Sequence, residues 1–239
     1  MKLISRKKRG GSAEKTRNVI NSDSKFAIVE GYKSARTSLV FSLATENNQA
    51  VAVTSWSKGE GKSTATVNLA ISFAKMGKRV LLVDTDLRRP NVHNLLKVAN
   101  GSGLSDVIGQ IADFEDAVYR SLVPSLDVLT AGAIPPNPSE LIASQSFASF
   151  MNMVKNQYDY IILDTPPIGV VTDTLLLKDH IAGYVFIVRE KVTTHGDIER
   201  AVQQIKLADS KILGFLKVGC DLTERKKYKK GNYGYYKYY

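Results

Sequence analysis

The chain has 239 residues, 44% of them hydrophobic, and a formal net charge of +10 at pH 7, enough length and apolar content for one sizeable α/β domain with a buried core. The charge sits at the ends: residues 1–25 hold eight Lys and Arg against two acids, residues 222–239 hold six against one, and residues 26–221 carry −1. A nucleic-acid groove, which needs cations lining the folded surface, is therefore not expected.

The chain opens on a polar, basic arm, residues 1–25. Its cluster Arg6-Lys7-Lys8-Arg9 suits anionic lipid headgroups at about 1 kcal/mol per charge, or is a solvated arm. Leu3 and Ile4 are followed at once by Ser5 and the basic cluster, which leaves no signal-peptide core. No apolar run approaches the ~18 residues that span a bilayer. The single cysteine, Cys220, supports no disulfide framework and reads as a small core residue. A cytoplasmic location is expected, with any membrane association peripheral or through a partner.

Ile28, Ala35, Leu39 and Leu43 recur at helical spacing and predict a helix over about residues 28–45. Apolar, β-branched runs follow at Ala50 to Thr54, Val80 to Val83, Leu126 to Leu129, Tyr160 to Leu163, Tyr184 to Val188 and Ile212 to Val218. They alternate with helix-length stretches at about 62–76, 92–98, 104–121, 139–156, 173–180 and 195–208. Strands apolar throughout and separated by helices predict a parallel sheet covered on both faces. Ser139 is expected to open its helix after Pro135, Pro136 and Pro138, and Gly77 to close the one that ends near Met76.

The first of these strands leads into Ser55-Trp56-Ser57-Lys58-Gly59-Glu60-Gly61-Lys62-Ser63-Thr64 and then a helix. Gly59 and Gly61 let consecutive backbone N–H groups turn onto phosphate oxygens, and the helix N-terminus adds its positive end. Residues Ser57 through Thr64 are thus the candidate nucleotide site, with Lys62 reaching the β- and γ-phosphates and Ser63 offering its hydroxyl to Mg²⁺. The strict pattern wants Gly at 56, where this chain has Trp.

Asp84 and Asp86 follow the second strand in Asp84-Thr85-Asp86-Leu87-Arg88-Arg89-Pro90, and Asp164 follows the strand at Tyr160 to Leu163. Each alone reads equally as a turn residue or cap. Together, at the carboxyl ends of parallel strands, they sit where such sheets bind ligands. Phosphoryl transfer is mostly positioning and charge neutralisation, so carboxylates holding Mg²⁺ and one accepting a tyrosine proton suit it, with Asp84 as the expected base. Arg88 and Arg89 face either phosphate or a subunit surface, or pair with acids. His93, His180 and His195 are too scattered for a metal site.

Six of the eleven tyrosines, Tyr228, Tyr233, Tyr235, Tyr236, Tyr238 and Tyr239, lie among the last twelve residues, interleaved with Lys and Gly. Without aliphatic partners or strand alternation, the tail reads as substrate rather than core.

The phosphate loop at 55–64, Asp84 to Pro90 with His93, and Tyr158-Asp159-Tyr160-Ile161-Ile162-Leu163-Asp164-Thr165-Pro166-Pro167 resemble the Walker A, A′ and B motifs of the bacterial tyrosine kinases. The likeness is to the two-protein capsule and exopolysaccharide regulators of the CpsD and CapB type. Gly132-Ala133-Ile134-Pro135-Pro136-Asn137-Pro138-Ser139-Glu140-Leu141 and the tyrosine tail are similar too. The resemblance implies a P-loop NTPase-type domain over residues 26–221, with ATP and Mg²⁺ as cofactors. Lys62 and Ser63 would bind phosphate and metal, Asp86 and Asp164 would hold Mg²⁺, and Asp84 would act in catalysis. It implies that neighbouring subunits phosphorylate the tail tyrosines. It also implies a homo-oligomeric ring built through Glu30, Lys33 and Arg36, and a membrane adaptor of the polysaccharide-chain-length type that switches the kinase on at the inner face of the membrane. On residues alone, Glu30, Lys33 and Arg36 read as a solvated helix face. Lys33 stands where the family has arginine, and Val218 where relatives often have an asparagine beside adenine. Two rival readings are a ParA- or MinD-like ATPase, whose signature lysine would fall at Ser57, and an ATP-gated scaffold.

Overall fold

The structure, a computed structural model, describes residues 19–46 and 48–220. The arm before Val19 and all six tail tyrosines, Tyr228 to Tyr239, lie outside the described residues.

Seven strands, β1 (Ala50–Ser55), β2 (Val80–Asp84), β3 (Tyr119–Val123), β4 (Leu126–Leu129), β5 (Tyr160–Asp164), β6 (Gly183–Arg189) and β7 (Ile212–Val218), form one sheet in the order β3-β4-β2-β5-β1-β6-β7. All pairings are parallel except β3 with β4. Every residue of β1 and β2 is buried, as the unbroken apolar runs require of central strands. Side chains alternate between faces. Val51 and Val53 pack with Leu39 of α1 (Phe26–Leu43) and with Val67, Leu69 and Phe73 of α2 (Lys62–Ala74). Ala50 and Ala52 belong to the opposite core, with Phe147, Phe150 and Val154 of the helix Gln145–Gln157 and Ala201 and Ile205 of the helix His195–Leu207. The expected two-sided parallel sheet is therefore present. Ile20 is buried and its N–H donates to Asn68 Oδ1 on α2 (2.8 Å), so packing begins ahead of Phe26.

Three expectations are corrected. The stretch 104–121 is not one helix: α3 (Val92–Leu96) is followed by α4 (Leu104–Ile108), α5 (Phe114–Ala117) and then β3. Gly109 caps α4, Gln110 takes a positive φ of 59°, and Asp113 starts a fresh helix, so the helical spacing is broken where sequence periodicity carried through. Strand β3 was hidden because its residues are mostly exposed on the sheet's antiparallel edge and show no apolar run. The stretch 139–156 divides into α6 (Pro138–Ile142) and α7 (Gln145–Gln157). Ser139 is not a cap: Pro138 occupies the first turn of α6, and it is Ser144 that accepts the Phe147 N–H at the start of α7. Gly77, with φ of 74°, ends the α2 region as expected. The last long helix is α8 (His195–Leu207), and Asp173–His180 is a 3-10 helix.

The register places the functional ends side by side. Asp84 pairs with Asp164 across β2 and β5, and Val53 pairs with Asp164 across β1 and β5, so three strands end at one level beside the loop that follows β1.

Candidate active site

The loop between β1 and α2 turns on Gly59 and Gly61, with φ of 84° and 89°, a region L side chains rarely enter. Gly61 caps α2, whose free N–H groups open the site to anions. The loop is braced from below by a residue expected to bind nucleotide. The Glu60 side chain turns inward and is buried, accepting the Ser57 N–H (2.8 Å) and the Thr193 hydroxyl (2.6 Å). Trp56 occupies the place of the motif glycine and packs on the backbone of Gly169, where a Cβ would come within 2.6 Å of the indole. Arg200 of α8 lies over the same ring, 5.0 Å from its centroid.

Lys62 is buried with its ammonium on Asp164 Oδ1 (2.8 Å) and 3.7 Å from Asp86 Oδ2. Burial works against the ammonium, but Asp164, Asp86 and Asp84 outweigh it and raise its pKa. Thr66, one helical turn after Lys62, also donates to Asp164 Oδ1 (2.9 Å). Asp164 Oδ2 is buried and has no partner among the described residues. Such an atom is costly unless a ligand completes it.

Asp84 has no exposure at all, and both its oxygens are engaged. Oδ2 accepts the N–H groups of Asn91 and Val92 (3.0 Å each) at the start of α3, and Oδ1 accepts that of Asp86 (3.2 Å). Burial, then the neighbouring Asp164, pushes its pKa up to about 7. Asp86 differs: burial raises its pKa too, against the pull of Lys62, yet its side chain lines the open cleft.

That cleft, about 810 Å³, joins two chemistries. One side is the phosphate loop with Lys62, Ser63, Thr64 and Asp86. The lining also includes the apolar Pro90, Pro166, Pro167, Val170 and Val171 together with Arg88 and Arg89, while Arg189 comes close to Gly61 of the loop. The structure thus brings Ser57 through Thr64, Asp86 and Asp164 together, with Asp84 directly behind.

Glu30, Lys33 and Arg36 stand apart on α1. Lys33 pairs with Glu30 (2.7 Å), both about half exposed, while Arg36 donates to the Ser72 carbonyl of α2 (2.7 Å) with its Nε buried and without a partner among the described residues. Cys220 is partly buried at the end of the described chain rather than in the core.

Sequence reasoning missed Thr66, Asp173, Thr193 and Arg189. Thr66 was readable, since position i+4 shares a helix face with Lys62. The others come from the start of the 3-10 helix (Asp173), the end of β6 (Arg189) and the loop before α8 (Thr193), with no local pattern that ties them to the site.

A protein-family model described as an AAA domain matches residues 48–215. The chain is 38% identical over 232 residues to the tyrosine-protein kinase YwqD of Bacillus subtilis, covering 97% of this chain and 95% of that protein. The chain belongs to the bacterial tyrosine-protein kinase family. Within solved structures it is similar to the chimerical protein CapA2B2, with a TM-score of 0.79, 32% identity, and coverage of 84% of this chain and 88% of the other. It is also similar, at 25% identity and a TM-score of 0.59 over 70% of this chain and 69% of the other, to the septum site-determining protein MinD complexed with Mg-ADP from Pyrococcus horikoshii. The P-loop fold of the tyrosine kinase family is a nucleotide-binding fold, and this chain's loop has the backbone for it. No helix of the described residues is long and apolar enough to cross a membrane.

Proposed function

We propose that this protein is an ATP-dependent protein-tyrosine kinase that phosphorylates its own C-terminal tyrosine cluster and regulates capsular or extracellular polysaccharide synthesis. The observation that carries the reading is the buried Lys62–Asp164–Asp86 cluster, whose Lys62 and Asp86 line a cleft that also has apolar residues in its lining. The same cleft thus offers a cation for phosphate and an apolar surface fit for a phenol ring.

In the reaction the tyrosine oxygen attacks the γ-phosphorus, the bond to the β,γ-bridging oxygen breaks, and ADP leaves with that electron pair. The phenolic proton passes to a carboxylate, since a phenol of pKa near ~10 is protonated at neutral pH. Asp86, which opens into the cleft, is the carboxylate kept for Mg²⁺. Asp84, directly behind it with its raised pKa and its hold on the Asp86, Asn91 and Val92 N–H groups, is the proposed acceptor of that proton. Lys62 would leave Asp164 for the β- and γ-phosphates.

The residues fit Mg²⁺. Ser63 Oγ, Asp86 and the unpartnered Asp164 Oδ2 are hard oxygen donors. Mg²⁺ usually keeps several waters and is held by one or two carboxylates together with phosphate oxygens, which these donors could supply. When bound, it would neutralise charge on the transferring group.

The tail Tyr228, Tyr233, Tyr235, Tyr236, Tyr238 and Tyr239 would be phosphorylated by neighbouring subunits of a ring joined through Glu30, Lys33 and Arg36. A membrane adaptor of the polysaccharide-chain-length type would hold the ring at the membrane's inner face. Each phosphate adds about −1.5 to −2 charges, so several reverse the tail's positive charge. The test is incubation with ATP, Mg²⁺ and the adaptor's cytoplasmic segment, followed by phosphotyrosine mapping. Signal on the tail that is lost in Lys62→Ala supports the reading; release of phosphate to water alone, with no phosphotyrosine, rejects it in favour of a MinD-like ATPase.

A further inference from the structure

Beyond the phosphate loop, the cleft carries a second organised charge. Arg88 lines it, two residues after Asp86. Its Nε–H donates to Asp173 Oδ2 (2.6 Å), and Nη2 donates to Asp173 Oδ1 (3.2 Å) and to Ser139 Oγ (3.0 Å). Ser139 in turn donates its hydroxyl proton to Asp173 Oδ1 (2.8 Å). Asp173 comes from the 3-10 helix and Ser139 from α6, so three segments distant in sequence converge on one guanidinium. The Asp173 side chain is only 7% exposed, against 42% for Arg88, so the carboxylate is fixed and the cation is the accessible partner. Burial would favour a neutral Asp173, yet the bonds from Arg88 and Ser139 hold its pKa below the ordinary value, so the pair stays ionised.

A guanidinium has five N–H donors in a rigid fork. The described contacts of Arg88 use three and leave the two on Nη1 without a partner among the described residues. A brace needed only for folding would not require its cation at the wall of a phosphate-binding cleft. We propose that Asp173 and Ser139 are positioning residues that hold Arg88 as a preformed fork at the acceptor end, where its Nη1 donors meet the phosphoryl group as it passes from ATP to tyrosine. The inference rests on the kinase reading and adds to it a clamp for the transferred group. Preorganised donors of this kind act where charge develops and cost no reorganisation during reaction.

The experiment uses the full chain with ATP, Mg²⁺ and a peptide of residues 222–239 as acceptor, reading initial rates of phosphotyrosine formation and, separately, the affinity for a fluorescent ATP analogue. Arg88→Ala is expected to lower kcat by about 10²-fold with nucleotide affinity changed less than about twofold. Asp173→Asn is expected to cost about tenfold and Ser139→Ala a few-fold, again in kcat, through misplacement of the fork. Arg88→Lys keeps the charge but not the fork and should stay near the Ala variant. In the Arg88→Ala background, Asp173→Asn should cost nothing more, because it acts through Arg88.

If the two losses multiply, or if Arg88→Ala leaves the rate intact, the clamp is rejected while the kinase reading stands. If the unaltered protein makes no phosphotyrosine at all, the kinase reading fails and the clamp with it. Should Asp173→Asn melt out, Ser139→Ala and Arg88→Lys carry the same comparison.

Discussion

Two sets of charged side chains on this molecule were singled out by sequence, and they live under opposite conditions. Lys62, Asp164, Asp86 and Asp84 are packed at the carboxyl ends of β1, β2 and β5 with almost no exposure. Glu30 and Lys33 form an i,i+3 pair on α1 with about half of each side chain in water. The first set pays heavy desolvation and is stable only because each charge answers another. The second costs little and contributes little until another surface covers it. The same chemical types therefore mark a prebuilt reaction site in one place and, in the other, a surface whose role depends on assembly.

The largest effect should come from breaking the buried set. Lys62→Met removes the buried cation that sits among Asp84, Asp86 and Asp164, and ligand-free stability at pH 8 should fall by about 3 kcal/mol, the low end for an orphaned buried pair. Urea unfolding measures it. The loss should shrink at pH 5, because carboxylates without Lys62 take up protons and stop repelling.

Next is the pH dependence of the ligand-free protein. The pKa of Asp84, raised to about 7, means that the native state keeps a proton the unfolded chain has released. Stability should thus fall as pH rises from about 4 to about 7, by up to about 1.4 kcal/mol per unit, and level off above. Asp84→Asn should remove that part of the slope in urea titrations across the same range. An unchanged slope would place the titration elsewhere.

The smallest effects belong to α1. Lys33→Ala should change stability by less than about 0.5 kcal/mol. Arg36→Ala should cost about 1 kcal/mol, since it removes the donor to the Ser72 carbonyl. If these residues join subunits, sedimentation should show both variants shifted towards monomer despite those small numbers. Unchanged sedimentation would leave α1 a solvated face.

What the sequence made legible follows from where its information is local. The strand-loop-helix order and the aspartates could be read because β1, β2 and β5 are apolar throughout and their register is fixed by burial on both faces. Strand β3 could not, because an exposed edge strand such as Tyr119 to Val123 carries no apolar run. The brace of Arg88 by Asp173 and Ser139 was equally hidden: its members are 85 and 51 residues from Arg88 in the chain and meet only in the fold. Glu60 was legible as a loop position whose backbone adjoins phosphate, but not the second role of its side chain, which anchors the loop to Thr193. Trp56 departs from the motif, and packing against Gly169 and Arg200 accounts for how it is accommodated.

The account stands on a terminal phosphate carried from nucleotide to tyrosine at Lys62. The direct measurement is the fate of radiolabelled γ-phosphate after incubation with Mg²⁺ and the adaptor segment. Label on tail tyrosines, abolished in Lys62→Ala, is the predicted result; label recovered only as inorganic phosphate, with every tyrosine unmodified, would contradict it.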